Sequence, residues 1–458
     1  YNVLVGDEAG TALTTGDGNV AIGFEALKTE DANGQNTAIG YQALTTLNAG
    51  ADARNTAVGY EAAKATTVGV RNSALGYNAL ATNILGSNST AIGYKALSVQ
   101  NFATATEGLN AAVGYAAGAS VTTGVKNTLI GSEAGDALTS SNNNLAIGYK
   151  ALSADTVGTK TTAVGFEALM SQNFTTNTDS FNVAVGHTAG REITTGVNNT
   201  LLGALAGDAL TEGSNNHAIG RDALGADTLG SQSIAIGRLA LGSQNFTTAT
   251  DAYNVAIGSQ SGFAITTGIQ NTFLGGLAGD ALTDADFNVA VGYAALSADT
   301  LGSNSTAIGW SALAAQNFST ATLSYNTAVG FKAGLSVTTG FRNTLIGGQS
   351  GDALTSGNNN TAMGFNSLTT NTLGDRNVAI GSQTLQSVNF TTSVDSYNTA
   401  VGFNAGGAVS TGTLNTIVGG LAGNNLTSGN NNTVVGYLAL SADTLGDRNV
   451  AIGVNSLA

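Results

Sequence analysis

A five-residue pattern, Asn-x-Ala-aliphatic-Gly, returns at a fixed 17-residue step and leaves the chain few folds to adopt. Residues 253–324 show it plainly: Asn254-Val-Ala-Ile-Gly258, Asn271-Thr-Phe-Leu-Gly275, Asn288-Val-Ala-Val-Gly292 and Ser305-Thr-Ala-Ile-Gly309. Gly258, Gly275, Gly292 and Gly309 are evenly spaced; a longer, 21-residue step then leads to Gly330, and the 72-residue block starts again. A period this short, kept up this long, belongs to a solenoid or a fibre array, in which each repeat packs only on its neighbours. Twenty-six key glycines run from Gly6 to Gly453. Residues 1–58 are the irregular part, with a 19-residue step between Gly40 and Gly59, and residues 59–458 carry the regular blocks. No linker or composition shift interrupts them, so residues 1–458 read as one repetitive shaft.

Each unit reads as one coil with two short strands. The residue before the key glycine is aliphatic throughout, as in Ile22, Val58, Leu202 and Met363. Two residues earlier stands most often Thr or Val, and side chains alternate along a strand, so these two positions share a face. Their apolar content predicts that this face is the inner one, with Ile257, Leu274, Val291 and Ile308 in one buried column. A polar turn follows each coil, as in Ser356-Gly-Asn-Asn-Asn360. No 3.6-residue periodicity points to a helix.

The coils compensate one another in volume. Two coil types place Leu four residues after the key glycine, as at Leu296 and Leu313. The other two place Gly there, as at Gly262 and Gly279, and recover bulk three residues later, at Ile265 and Leu282. One of these also exchanges its pentad Ala for Leu129, Leu201, Phe273, Leu345 or Ile417. Stacked, non-identical layers around a close-packed interior require such trading.

The first pentad residue is Asn in 22 of 26 units; Ser89, Thr161, Ser233 and Ser305 are the exceptions. Stacking would bring Asn254, Asn271 and Asn288, and likewise Asn326, Asn343 and Asn360, to one strand spacing, about 4.8 Å. There they would form a structural ladder. Turn chemistry is the other structural reading of this column.

Composition excludes several function classes. Cysteine and proline are absent, so no disulfide or thiol chemistry arises. A net charge of −14 without any basic run speaks against nucleic-acid binding. No apolar stretch is long enough for a membrane span.

The copies of Asn36-Thr-Ala-Ile-Gly-Tyr-Gln-Ala-Leu44 resemble the repeats of phage and prophage tail fibres, which often end in an endosialidase-type chaperone domain. The pentad is also similar to the head repeat of trimeric autotransporter adhesins. The resemblance covers the whole chain. It implies a trimeric β-roll or β-helix shaft, outside the cell, on a virion or a cell surface. The chain itself carries no chaperone domain, anchor or coiled-coil stalk, and the expectation is a slice of a longer protein.

Candidate chemistry is sparse. His187 and His217 occupy different coil positions and read as incidental substitutions. Asp136, Asp208, Asp280 and Asp352 recur in Gly-Asp-Ala-Leu. Copies four coils apart cannot share one ion, and calcium wants six to eight oxygens, so turn chemistry is the preferred reading. Trp310 sits in a slot held elsewhere by Tyr or Phe and reads as packing. The 21-residue coils insert Asn-Phe-Thr or its variants at Phe102, Phe174, Phe246, Phe318 and Phe390. These rings are candidate surface contacts to glycans, set against the alternative that they fold back to cover the coil edge.

The expectation is therefore an all-β, elongated β-solenoid or β-roll of 26 coils with a basic 17-residue length and a 17+17+17+21 superrepeat, as a parallel homotrimer. Its function is that of a structural shaft of an extracellular fibre, by resemblance a phage tail fibre engaged in host attachment. No enzyme activity, catalytic residue, metal or cofactor is expected. Partners are further copies of the chain, as a trimer or end to end, and a cell-surface glycan. The alternatives are a bacterial surface adhesin or self-assembling extracellular filament, then a glycan-degrading tailspike, which needs paired carboxylates in a cleft, and an ice-binding protein, which needs its Thr column exposed.

Overall fold

A computed structural model describes residues 1–32, 34–50 and 52–458. The described residues are all-β, without a helix, and form a parallel β-solenoid of about 26 turns at the 17-residue step. They fall into two compact units, residues 1–231 with 247–249, and residues 232–246 with 250–458. The first unit holds thirteen three-residue strands, from Val3–Val5 to His217–Ile219. The second holds thirteen more, from Ile234–Ile236 to Val450–Ile452.

Within each unit successive pentads pair in parallel and in register. Val255 lies beside Thr272, Ala256 beside Phe273 and Ile257 beside Leu274. The 21-residue step keeps the same register, with Thr306 beside Thr327 and Ile308 beside Val329. Its four extra residues bulge outward and add a two-residue parallel pairing, such as Gly158–Thr159 with Thr178–Asp179.

Positive-φ residues turn the chain into a coil. The key glycine is the most demanding: Gly258 has φ +138°, and a Cβ there would come within 2.5 Å of the Gly275 carbonyl in the next coil. Only glycine adopts that conformation and allows that approach. Two residues on, Gln260 has φ 57°, and two further on stands Gly262 or, in the other coil types, a leucine such as Leu296 with φ 55°. A left-handed leucine costs about 1–2 kcal/mol. Leu296 is fully buried, and burial worth about 1.5–3 kcal/mol offsets that cost. Glycine replaces leucine where a large pentad residue fills the interior. Phe273 lies between Gly262 and Gly279, and a Cβ on these would sit 2.7 and 2.5 Å from its ring atoms. The volume trading anticipated from the sequence thus has a direct cause. Leu129, Leu201, Phe273, Leu345 and Ile417 are all fully buried, as are Ile265 and Leu282.

The expected strand phase is wrong by one residue. Ile257, Leu274, Val291 and Ile308 do stack in register, but on the outer face: Ile257 is 36% exposed, Leu274 45% and Ile308 37%, and Val291 is half-buried. The inner column is Ala256, Phe273, Ala290 and Ala307, each fully buried. The interior of so narrow a coil is already occupied by the leucines and isoleucines after the key glycine. What remains beneath the strand accommodates alanine at most positions, so the β-branched row faces outward.

The asparagine ladder forms, and it works mainly through the backbone. Asn254 Oδ1 accepts the Asn271 N–H at 2.9 Å, and Asn271 Oδ1 accepts that of Asn288 at 2.9 Å. Their amide groups donate across the coil to the carbonyls of Gly268 and Ala285 at 2.7 and 2.8 Å. Asn326, Asn343 and Asn360 repeat this, the last two N–H groups bonding the preceding Oδ1 at 2.9 Å. All six are buried. Direct amide-to-amide bonds are the longer ones, 3.3 Å for Asn271 to Asn254 and 3.2 Å for Asn360 to Asn343.

Candidate interaction surface

The outer face of each unit's sheet carries two parallel rows. The first is the Thr/Val row, in which Thr272 and Thr416 are exposed and Val255 and Thr344 half-buried. The second is the Ile/Val/Leu row just described. Strand geometry sets successive residues of a row about 4.8 Å apart. A scattered exposed Ile is ordinary, whereas a contiguous exposed apolar row on a regular face is not.

A third row, of aromatic rings, stands one residue past the key glycine. Phe24, Tyr41, Tyr60, Tyr77, Tyr94 and Tyr115 stack in sequence, with centroids 5.0–5.3 Å apart and ring planes within 16°. Each keeps 38–55% of its surface exposed. Shorter runs follow: Tyr149, Phe166 and His187 in the first unit, and Trp310 with Phe331 in the second. His187 thus occupies an aromatic slot, while His217 points outward in the Thr row. Trp310 packs, as the sequence suggests, yet it is 45% exposed, with the Lys332 ammonium 5.3 Å from its centroid.

The inserted phenylalanines are not surface contacts. Phe102, Phe174, Phe246, Phe318 and Phe390 are only 5–7% exposed. Phe174 lies over Gly158, Phe318 over Gly302 and Phe390 over Gly374, where a Cβ would meet each ring at 2.8 Å. An aromatic side chain gains too much from burial to remain in water when a glycine-floored niche adjoins it. The hydroxyl-rich residues after it do remain outside: Thr175, Thr176 and Asn177, or Thr391, Thr392 and Ser393, are exposed.

Beneath the insertion lies a polar relay missed in the sequence. Ser and Thr are too short to continue the asparagine ladder, and a buried glutamine carries it across. Gln316 Nε2 donates to Ser305 Oγ at 2.8 Å, and Gln316 Oε1 accepts from Asn326 Nδ2 at 2.8 Å. Gln100 and Gln172 do the same for Ser89 with Asn110 and for Thr161 with Asn182. The signal was present: Gln at 100, 172, 244 and 316 accompanies Ser or Thr at 89, 161, 233 and 305, and the fifth block has Val388 with Asn377. Gln172 and Gln316 also donate to fully buried carboxylates, Asp155 at 2.7 Å and Asp299 at 2.5 Å. Burial pushes the Asp155 carboxyl above its ordinary range, with the hydrogen bond from Gln172 opposing.

The Gly-Asp-Ala-Leu aspartates lie half-buried at the coil corner, and burial pushes Asp136, Asp208 and Asp280 up as well. Among the described residues no three His, Cys, Asp or Glu side chains gather as a metal site. An open cleft of about 620 Å³ borders Asp136, with Glu133, Lys150, Ser171, Asn173 and Thr194 in its walls. The Lys150 ammonium lies 3.6 Å from Glu133, so its one cation already has a partner. No described helix is long and apolar enough to cross a membrane. No protein-family model, curated protein or solved structure matches the chain.

Proposed function

We propose that the protein is the shaft of an extracellular fibre, by resemblance a phage tail fibre taking part in host attachment, and that copies associate through the outer sheet face. The observation that supports this reading is the outward aliphatic row, with Ile257, Leu274 and Ile308 more than a third exposed. A lone solenoid of this width gains nothing from placing Ile and Val in water at coil after coil. Covering them would contribute roughly 25 cal/mol per Å² of apolar surface. Three copies side by side satisfy the row symmetrically and agree with the resemblance. The Ala-Gly face does not serve this purpose, because its alanines already meet the interior of their own coil. A bacterial surface adhesin or self-assembling filament would use the same face. A cell-surface glycan as partner fits the exposed hydroxyl-rich bulges better than the buried phenylalanines. The reading assigns no catalytic role.

Native mass measurement tests it, on the parent and on the Ile257→Lys/Ile308→Lys variant. A particle near three times 45.3 kDa that the variant converts to single chains is expected. A parent of one chain mass, or a trimer indifferent to the two lysines, would reject association through this face.

A further inference from the structure

We infer that the ladder Tyr41–Tyr60–Tyr77–Tyr94–Tyr115 is an oxidative modification site, at which successive coils are joined by carbon–carbon coupling of neighbouring phenols. These five rings follow one another without interruption, with centroids 5.0, 5.1, 5.3 and 5.2 Å apart and planes within 13°. Nearly parallel rings related by one coil step have corresponding atoms separated by about the centroid distance. The carbons ortho to the hydroxyl on one rung therefore face those of the next across about one ring spacing, and rotation of both half-exposed side chains is what brings them together. Every rung is 41–55% exposed, so an oxidant reaches it from solvent.

The rest of the chain favours this outcome. It has no cysteine, two methionines and one tryptophan, so few side chains compete for an oxidising equivalent in the usual order of susceptibility. Phe24 closes the ladder at one end, and Ser132 occupies the next slot beyond Tyr115; neither can couple. Elsewhere the described ring stacks pair Tyr149 with Phe166, Phe166 with His187 and Trp310 with Phe331, so tyrosine meets tyrosine at one coil step only here.

The chemistry balances with a one-electron oxidant, such as a peroxide-fed haem peroxidase or a photo-excited metal complex with persulfate. Each of two neighbouring tyrosines gives up one electron to the oxidant and its phenolic proton to water. The two phenoxyl radicals join through their ortho carbons. The hydrogens on those carbons then shift to the oxygens, restoring two phenols. Two electrons and two protons leave in all, and with persulfate the reduced product is two sulfate ions. The product ties residues one coil apart and resists the local opening to which a stack of nearest-neighbour contacts is prone.

The test uses the full chain, unfolded together with an equal amount of its 15N-labelled form and refolded so that any assembly mixes the two, then diluted and illuminated with ruthenium(II) tris-bipyridyl and persulfate. Linked peptides are read by mass spectrometry. The expected links are 41–60, 60–77, 77–94 and 94–115, each within a single isotopic form. Tyr77→Phe, which places in the ladder a ring it already uses at position 24, should remove the two middle links, about half the yield, and leave 41–60 and 94–115. Circular dichroism checks that this variant folds, and the isotope pattern of the parent stands without it. Mixed-isotope links only, links spread evenly over the isolated tyrosines, or no links while a tyrosyl dipeptide in the same vessel couples, would each overturn the inference.

Discussion

A pentad asparagine performs two tasks in its buried place: its Oδ1 receives the next coil's N–H, and its Nδ2 reaches a carbonyl across the coil. Asn271→Ala would strand both the Asn288 N–H and the Ala285 carbonyl. Each buried unsatisfied group costs about 1–3 kcal/mol, so a loss of about 2–6 kcal/mol is expected in denaturant unfolding. The glutamine relay makes a coupled prediction. Gln316→Val alone leaves Ser305 and Asn326 short of a partner and should destabilise. Adding Asp299→Asn and Ser305→Asn recreates the fifth block's Asn371, Asn377 and Val388 and should recover most of the loss; strictly additive effects would contradict the relay. Asp155 sets a pH dependence. Its folded pKa lies above the unfolded one, because burial disfavours the charge. The penalty is absent below the unfolded value, grows as pH rises towards the folded value, and is constant beyond it. Asp155→Asn, the residue found at Asn83 and Asn371, should therefore gain stability relative to the parent as pH rises through that window. An advantage that grows towards acid would refute the assignment.

At the scale of the coil, spacing and size made much of the design legible. The key glycine, the trading of Leu296 against Gly262, the bulk at Phe273 and the asparagine column follow from spacing and size alone. The phase of the strand does not. Period two defines two faces but not which is inside, and hydrophobicity favours Thr-x-Ile over Asn-x-Ala. The decision lay in coil width and in amides that serve the backbone, neither of which a hydropathy pattern contains. The phenylalanine insertion was ambiguous for a similar reason: the glycine it covers, Gly158 for Phe174, belongs to the preceding coil and reads as a turn residue. A Gly158→Ala substitution should displace that ring and cost about 1–3 kcal/mol, measurable as a shift in thermal midpoint.

Over the whole molecule, stability is a sum of coil terms and nearest-neighbour terms, and the proposed association would add to it by mass action. Each copy carries a net charge of −14, so copies brought side by side repel through solvent. Screening shortens that repulsion to about 10 Å at 0.1 M salt while leaving apolar contact intact. Self-association should therefore strengthen as salt rises from about 10 mM to 150 mM, as followed by sedimentation; weakening with salt would point to an ion-paired interface instead.

The fold rests on the inward turn of Asn-x-Ala and the outward turn of the aliphatic row. Comparing the unfolding of Ala290→Lys with that of Val291→Lys tests it most directly, because the two lysines differ by one residue and by face. Ala290 is fully buried, so a lysine there forces an unpaired charge into the coil and should cost several kcal/mol, with loss of the cooperative transition around that coil. Val291→Lys should keep the native circular dichroism and lose far less. The reverse order, with position 291 intolerant and position 290 tolerant, would contradict the fold as described.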